Sequence, residues 1–509
     1  MIEKSRVLLF NPRAVANRNY RIPNSILQVA ASIEGTFDWV IVDGNRETDP
    51  WFKIASYLDT GDFRFFGCTV MPGPQLKQAI PFTKKIRETY PNVQIIWGGY
   101  FASNQHKVAL SSGYVDFVIN GPGDHAFPKL LNALSTNAPF EFIPNLIYRS
   151  EQGEILKTTK ETLFDQDGLN GMPYAKLDKM YSMSGYLRPT HLGRETISYH
   201  SSMGCPFTCS FCAVVPIFEA RWKGKSAAKV FEDIKFIKEN YGGDSIEFHD
   251  NNFFVSEKRT VEFSKMIGPE EMAWWGEGRI DTIDRYSDDS LELMKESGCK
   301  MIFLGAESGS DEILKSVDKG GKQSGDQIKA FAERMARVGI VPEYSFVLGF
   351  PAESEEKVAR QINAEIEFIK EIKQINPATE IIIYLYSPVP TEGSELFQRI
   401  SEAGFKFPAT LEDWLNPAWE NFDLRKNPLT PWLTPELVDR VKNFETVMHA
   451  HYPTATDPKL STFQKNVMNA ISKIRYRRGI YRFPYELRFL QKYWLKYRQP
   501  ETEGFPTTA

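Results

Sequence analysis

The sequence predicts an α/β protein: a doubly wound parallel sheet first, then a second parallel sheet curved into a full or partial (β/α)6 barrel, then a mainly helical C-terminal region. Two series of short, continuous apolar strands separated by helical spacing carry this expectation, because strands covered on both faces read as unbroken apolar runs rather than as alternation. A chain of 509 residues gives each region room for its own core. The balance of 61 Lys+Arg against 65 Asp+Glu offers no whole-protein attraction to nucleic acid or an anionic membrane and leaves a basic tail as a local exception. No apolar run approaches a transmembrane helix, and the apolar core of MIEKSRVLLFNPR is short for a signal peptide, so a cytoplasmic location is expected.

In the first series VLLF (7–10), WVIVD (39–43), FRFFGCTV (63–70), VQIIWGG (93–99) and VDFVIN (115–120) read as strands. Residues 1–145 therefore form one domain, Rossmann-like in winding, whose ligand belongs beyond the strands' carboxyl ends. Those ends carry Asn11-Pro12-Arg13, Asp43-Gly44-Asn45, Thr69 to Pro74, Gly98-Gly99-Tyr100 and Gly121-Pro122-Gly123-Asp124. Residues 146–190 are weakly patterned and turn-rich, and read as a linker. TISYHSSMGC, SIEFHDNNF, EMAWWGEGRI, CKMIFLGAES, VPEYSFVLGFP and TEIIIYLYSPVP then supply six strands of a TIM-like barrel over 191–400. Residues 401–509 turn helical and end in a stretch rich in Arg, Lys and Tyr.

Three of the five cysteines, Cys205, Cys209 and Cys212, fall within eight residues with the spacing C-x3-C-x2-C. Three thiolates on one loop can each bind one iron of a cubane cluster and leave the fourth iron open. An open iron can chelate the amino and carboxylate groups of S-adenosylmethionine, which one electron then splits. A zinc knot would want a fourth Cys or His, with His200 or His249 as candidates, but the spacing is unlike the usual zinc pairs. Cys68 and Cys299 lie in apolar strands and read as buried small hydrophobes.

These three cysteines, with Phe211 just before the last, resemble the signature loop of the radical S-adenosylmethionine superfamily. Asp250-Asn251-Asn252-Phe253, Gly278-Arg279-Ile280-Asp281, Gly305 to Gly309 and Leu348 to Glu353 resemble later strand ends in members that carry an N-terminal cobalamin domain. VDGN, TVMPGPQ, WGGY and VDFVINGPGD resemble that cobalamin domain. The resemblance implies a [4Fe-4S] cluster on Cys205, Cys209 and Cys212, with S-adenosylmethionine and cobalamin as further cofactors. By the same analogy Phe211, Arg279 and Glu307 contact adenosylmethionine, Arg279 through a carboxylate, with surface ion pairs as the plainer reading of the charged two. Gly305 and Gly349 admit close backbone approach, and Asp250 and Asn252 hold the ligand's polar end or else cap the next helix. Asp43, Asn45, Thr69, Gly98, Gly99 and Gly121 are the implied corrin contacts. The Asp-x-His-x-x-Gly loop of methionine synthase-like domains is absent, so the corrin is expected to bind without a histidine below cobalt.

The activity implied is methyl transfer from methylcobalamin to an unactivated carbon of a hydrophobic small molecule, with a lean toward a tetrapyrrole or polycyclic lipid. A low-potential donor of flavodoxin or ferredoxin type would supply electrons. Phe218, Trp222, Trp274 and Trp275 are candidate pocket residues, with core packing as the plainer reading. A radical oxidative cyclase, resembling the anaerobic magnesium-protoporphyrin ester cyclase, is the second reading, and a cobalamin-binding sensor or carrier without catalysis is the third.

Overall fold

A computed structural model describes residues 6–15, 20–317, 323–387, 395–420, 429–453 and 460–495. The first sheet contains β1 (Arg6–Asn11), β2 (Trp39–Asp43), β3 (Phe63–Thr69), β4 (Gln94–Gly98), β5 (Phe117–Ile119), β6 (Leu146–Arg149) and β7 (Ile155–Lys157). Their spatial order is β2-β1-β3-β4-β5-β6-β7. The first five strands run parallel. Leu9 and Phe65 pack under helices Asn24–Ile33 and Ala126–Thr136, while Leu8, Phe10 and Phe66 pack under Pro50–Leu58 and Leu76–Thr89. Burial on both faces explains the unbroken apolar runs. The winding reverses between β1 and β3, which opens a crevice at their carboxyl ends.

The stretch expected as a linker divides. Residues 146–157 extend the first sheet as β6, antiparallel to β5, and β7, antiparallel to β6. Their pattern is weak because they sit at an edge, where Arg149, Leu156 and Lys157 stay exposed. The remainder crosses to the second sheet and ties back through the Tyr186 hydroxyl, which donates to Asp43 Oδ2 at 2.7 Å.

Eight further strands follow: β8 (Thr196–Tyr199), β9 (Ser202–Gly204), β10 (Trp222–Gly224), β11 (Ser245–Phe248), β12 (Ala273–Gly278), β13 (Cys299–Glu307), β14 (Val341–Leu348) and β15 (Glu380–Leu385). Six of them form a parallel sheet in the order β15-β14-β13-β12-β11-β8. Because β8 and β15 remain edges, the barrel is partial. Ser226, Ser256, Ser287, Ser324 and Ser354 each accept from the backbone N–H three residues on, so each covering helix starts at a fixed point after a strand-end loop. The antiparallel ribbon β9–β10 brackets the cysteine loop.

The C-terminal region is mainly helical and returns across both sheets. Leu411 and Trp414 are buried in the core of the first sheet, with Trp414 edge-on to Phe101 at 5.1 Å. Arg21 pairs with Glu247 at 2.9 Å, and the Asn24 amide donates to the Ser198 carbonyl at 3.0 Å. These contacts turn the carboxyl ends of the two sheets toward each other. No helix among the described residues is long and apolar enough to cross a membrane.

Candidate active site

Between the sheets lies a cavity of about 670 Å³. The first sheet contributes Thr69, Gly98, Gly99 and Gly121 from the ends of β3, β4 and β5. A Cβ placed on Gly98 would meet nothing within 4 Å, and one on Gly121 nothing nearer than 3.7 Å, so both glycines leave room for a bulky ligand. The second sheet contributes His200, Ser201, His249, Asn251 and Glu277. Leu9, Val29, Ile96, Phe127, Ile217 and Phe218 make much of the wall apolar.

Two expected corrin contacts lie elsewhere. Asp43 is fully buried and accepts from Asn11, from the Asn45 backbone and amide, and from Tyr186. Asn45 in turn accepts from the Ala14 backbone at 2.9 Å. Both lie at the end of β2, the outer strand beyond β1, whereas the crevice opens between β1 and β3. They fasten the linker and the loop after β1, and neither lines the cavity.

The cysteine loop sits at the barrel's edge of this space. Cys209 is buried, while Cys205 and Cys212 are half-buried. Among the described residues no three Cys, His, Asp or Glu side chains gather as a mononuclear site would need, whereas a cubane asks each thiolate to reach a different iron. Tyr100, a cavity residue in the short helix after β4, lies close enough to Cys212, Glu277 and Cys205 that their charges add to the burial raising its hydroxyl. Asn252 is fully buried beside Cys205, and its amide is otherwise without a partner among the described residues. A ligand or an ordered water at that point would complete its hydrogen bonds.

The sequence signature of the radical SAM superfamily matches residues 199–364, the span from the end of β8 past β14. The chain contains a radical SAM domain. An uncharacterized methyltransferase of Pyrococcus horikoshii is 28% identical over 355 residues, 69% of this chain and 73% of that protein. An anaerobic magnesium-protoporphyrin IX monomethyl ester cyclase of Synechocystis is 26% identical over 246 residues, 48% of this chain and 47% of its own length. The cobalamin-dependent S-adenosylmethionine radical enzyme OxsB, solved with aqua-cobalamin and S-adenosylmethionine, shares the fold with a TM-score of 0.69 at 15% identity, over 97% of this chain and 75% of that one.

Within the radical SAM domain, several expected ligand contacts are engaged by the chain itself. Arg279 meets a carboxylate, but it is that of Asp281, in two bonds of 2.9 Å, while its Nη1 donates to Cys209 Sγ at 3.0 Å. Its guanidinium also lies 3.9 Å from the Phe207 ring centre, so it braces the cysteine loop. Phe211 packs beside Ile313 and Val317 under the loop. Asp250 accepts from the Ser201 backbone and from the Ser201 and Ser202 hydroxyls. It does not cap the following helix, a role taken by Ser256. The Gly305 carbonyl accepts from Gln323 at 3.2 Å. The Cβ direction of Gly349 is filled by Leu433, and its carbonyl accepts from Trp432, so the C-terminal region occupies the approach expected for a ligand. Glu307 is buried at the end of β13 with φ of 63°, where the β13–β14 register shifts. A glutamate held left-handed marks a constrained strand end. Of the expected pocket aromatics, Phe218 reaches the cavity, while Trp274 is fully buried in the core.

Asp250→Ala is expected to cost about 3 kcal/mol in urea denaturation, since it strands two hydroxyls and a backbone N–H and deprives the buried Arg259 of a nearby charge.

The titratable groups in and beside the cavity pull one another apart. Burial lifts the Glu277 carboxyl to about 7, with His249 opposing and Asp250 reinforcing that rise. Burial, with His249 next, lowers His200 to about 4. Burial works against charge on Glu247, yet His249 and Arg21 hold it down to about 2, and Glu247 raises His249 in return. Asp124, also on the wall, is pushed by burial to about 6. Neutral His200 and a carboxyl poised near neutrality are groups able to donate or accept a proton.

Sequence reasoning passed over Tyr100, Asp124 and Glu277 as site residues. Tyr100 and Asp124 stood in quoted strand-end segments but were outweighed by neighbouring glycines. Glu277 was legible only as a carboxylate between Gly276 and Gly278 at a strand end.

Proposed function

We propose that this protein is a cobalamin-dependent radical S-adenosylmethionine methyltransferase that acts on an unactivated carbon of an apolar small molecule. The observation that carries the reading is one cavity shared by the glycine-lined ends of the first sheet and the polar strand ends of the second, with the cysteine loop beside it. Cys205, Cys209 and Cys212 would hold a [4Fe-4S] cluster, Asn252 would meet the polar end of adenosylmethionine, and Thr69, Gly98, Gly99 and Gly121 would seat the corrin. Bound there, the cofactors supply one-electron cleavage of a sulfonium and a transferable methyl group, for which a low-potential flavodoxin- or ferredoxin-type donor is required. His106 bonds to the Ser103 carbonyl and His125 to Glu161, and neither lines the cavity, which supports a corrin held without a histidine from the first sheet.

The chain's own residues do the rest. The apolar wall would hold the substrate and exclude water, which is compatible with an apolar skeleton such as a tetrapyrrole or polycyclic lipid. Glu277, with His249 beside it, holds a proton at the polar end of the chamber. In the native protein Glu277 keeps this proton up to about pH 7, whereas an unfolded glutamate releases it near 4.5. Stability therefore falls as pH rises across that window and is level above it. Glu277→Gln, fixed in the neutral form, is expected to flatten this part of the Tm-against-pH curve.

Similarity to the protoporphyrin ester cyclase favours a second reading with the same cofactors, in which a ring is closed without methylation. Anaerobic protein loaded with cluster and cobalamin, given dithionite and adenosylmethionine, separates the two. Formation of 5′-deoxyadenosine with S-adenosylhomocysteine and methylcobalamin is the expected result. Deoxyadenosine without methylcobalamin would move the assignment to the cyclase, and corrin binding without adenosylmethionine cleavage to a carrier.

A further inference from the structure

The C-terminal helix Thr462–Arg478 has two apolar faces. One, carrying Met468, Ser472 and Tyr476, is buried against the helix Pro435–His451. The other, at spacings of three and four residues on the opposite side, carries Phe463, Val467, Ile471 and Ile474. Phe463 is 70% exposed and Ile474 65%, and among the described residues nothing packs over them. The chain then turns, and the Arg475 guanidinium donates to the carbonyls of Ile480, Arg482 and Phe483, holding the turn against the helix end. Beyond it Phe483 stacks on Tyr485 and Phe489 lies against Tyr493, all four more than half exposed. Residues 460–495 hold eight Lys and Arg and one Glu, a net charge of +7 in a chain whose total is −4.

We propose that this face docks the protein on the surface of an anionic lipid bilayer. Exposed Ile and Phe flanked by Arg and Lys, with aromatic rings at the margin, form the pattern that sinks to the boundary between headgroups and acyl chains. The basic residues supply attraction to anionic headgroups within a Debye length. A nucleic acid would answer the charge but leave the aliphatic stripe wet, and a second copy of this chain would bring like charge against like. The helix lies on the membrane and does not span it, because one side remains packed on the protein. This surface is independent of the cofactor assignment.

Flotation of the full-length protein with phosphatidylglycerol-containing and pure phosphatidylcholine vesicles tests the proposal. Flotation with the anionic vesicles, weakened by salt, is expected. Arg477→Glu with Arg478→Glu is expected to reduce that binding by about tenfold or more. Ile471→Asn with Ile474→Asn should also reduce it while leaving circular dichroism unchanged and shifting Tm little, since both side chains are exposed, Ile471 to 43% and Ile474 to 65%. Equal binding to both vesicle types, or binding unaffected by either pair of changes, would overturn the proposal. So would a wild-type dimer that the Ile471→Asn, Ile474→Asn pair converts to monomer, which would assign the face to self-association.

Discussion

The Cys209→Ala protein is expected to form no detectable 5′-deoxyadenosine, a loss of at least about a thousandfold, while still binding cobalamin. Cys209 is the buried member of the triplet and the sulfur to which Arg279 donates, so its removal takes away one thiolate and the anchor of the loop's brace together. Arg279 keeps both bonds to Asp281, so no buried cation is stranded and the fold should survive. Cys299→Ala is the matched control: Cys299 is buried at the start of β13, outside the loop and the cavity lining, and its removal should leave the cluster's visible absorption intact. Iron analysis and anaerobic product formation read both variants. Undiminished deoxyadenosine from Cys209→Ala would end the cluster assignment.

Gly98→Phe is expected to do the reverse. No atom stands within 4 Å of the Cβ position, so a benzyl group projects into open space and Tm should change little. It fills the region assigned to the corrin, and cobalamin affinity by absorbance titration should fall by about a hundredfold or more. Deoxyadenosine formation, which depends on the cysteine loop, should persist. Gly99 is a poorer probe, because its φ of 88° and a Cβ 3.0 Å from the Val70 backbone would strain the fold itself. Together the two substitutions separate the halves of the site: one keeps corrin and loses cleavage, the other keeps cleavage and loses corrin.

Both parallel sheets and the cysteine loop could be read from the sequence, because buried strands and clustered thiols leave local marks. Strand order leaves none. Asp43 ends a strand as Thr69 does, and only the placing of β2 outside β1 moves it away from the crevice. The same limit hid the fate of Gly349, since Leu433 returns to it from more than eighty residues downstream. Arg279 and Asp281 stand two apart in sequence, yet their pairing depends on the turn after β12. β6 and β7 were missed because an edge hairpin with polar outer positions resembles irregular chain. Glu277 was missed because a side chain's chemistry here follows from what surrounds it, and β12 shows only its neighbours in the chain.

The cavity's rims and its sides have different origins. Thr69, Gly98, His249 and Glu277 sit at or just beyond strand ends, fixed by ladders on both sides, whereas Met71, Pro72, Gln166 and Met172 reach the same space from connecting segments. Connecting segments tolerate exchange that ladders do not. A lineage could therefore remodel the chamber's flanks, and with them the molecule it admits, while the two rims are inherited unchanged. Reaction type and substrate choice are in this sense separately heritable traits of one scaffold.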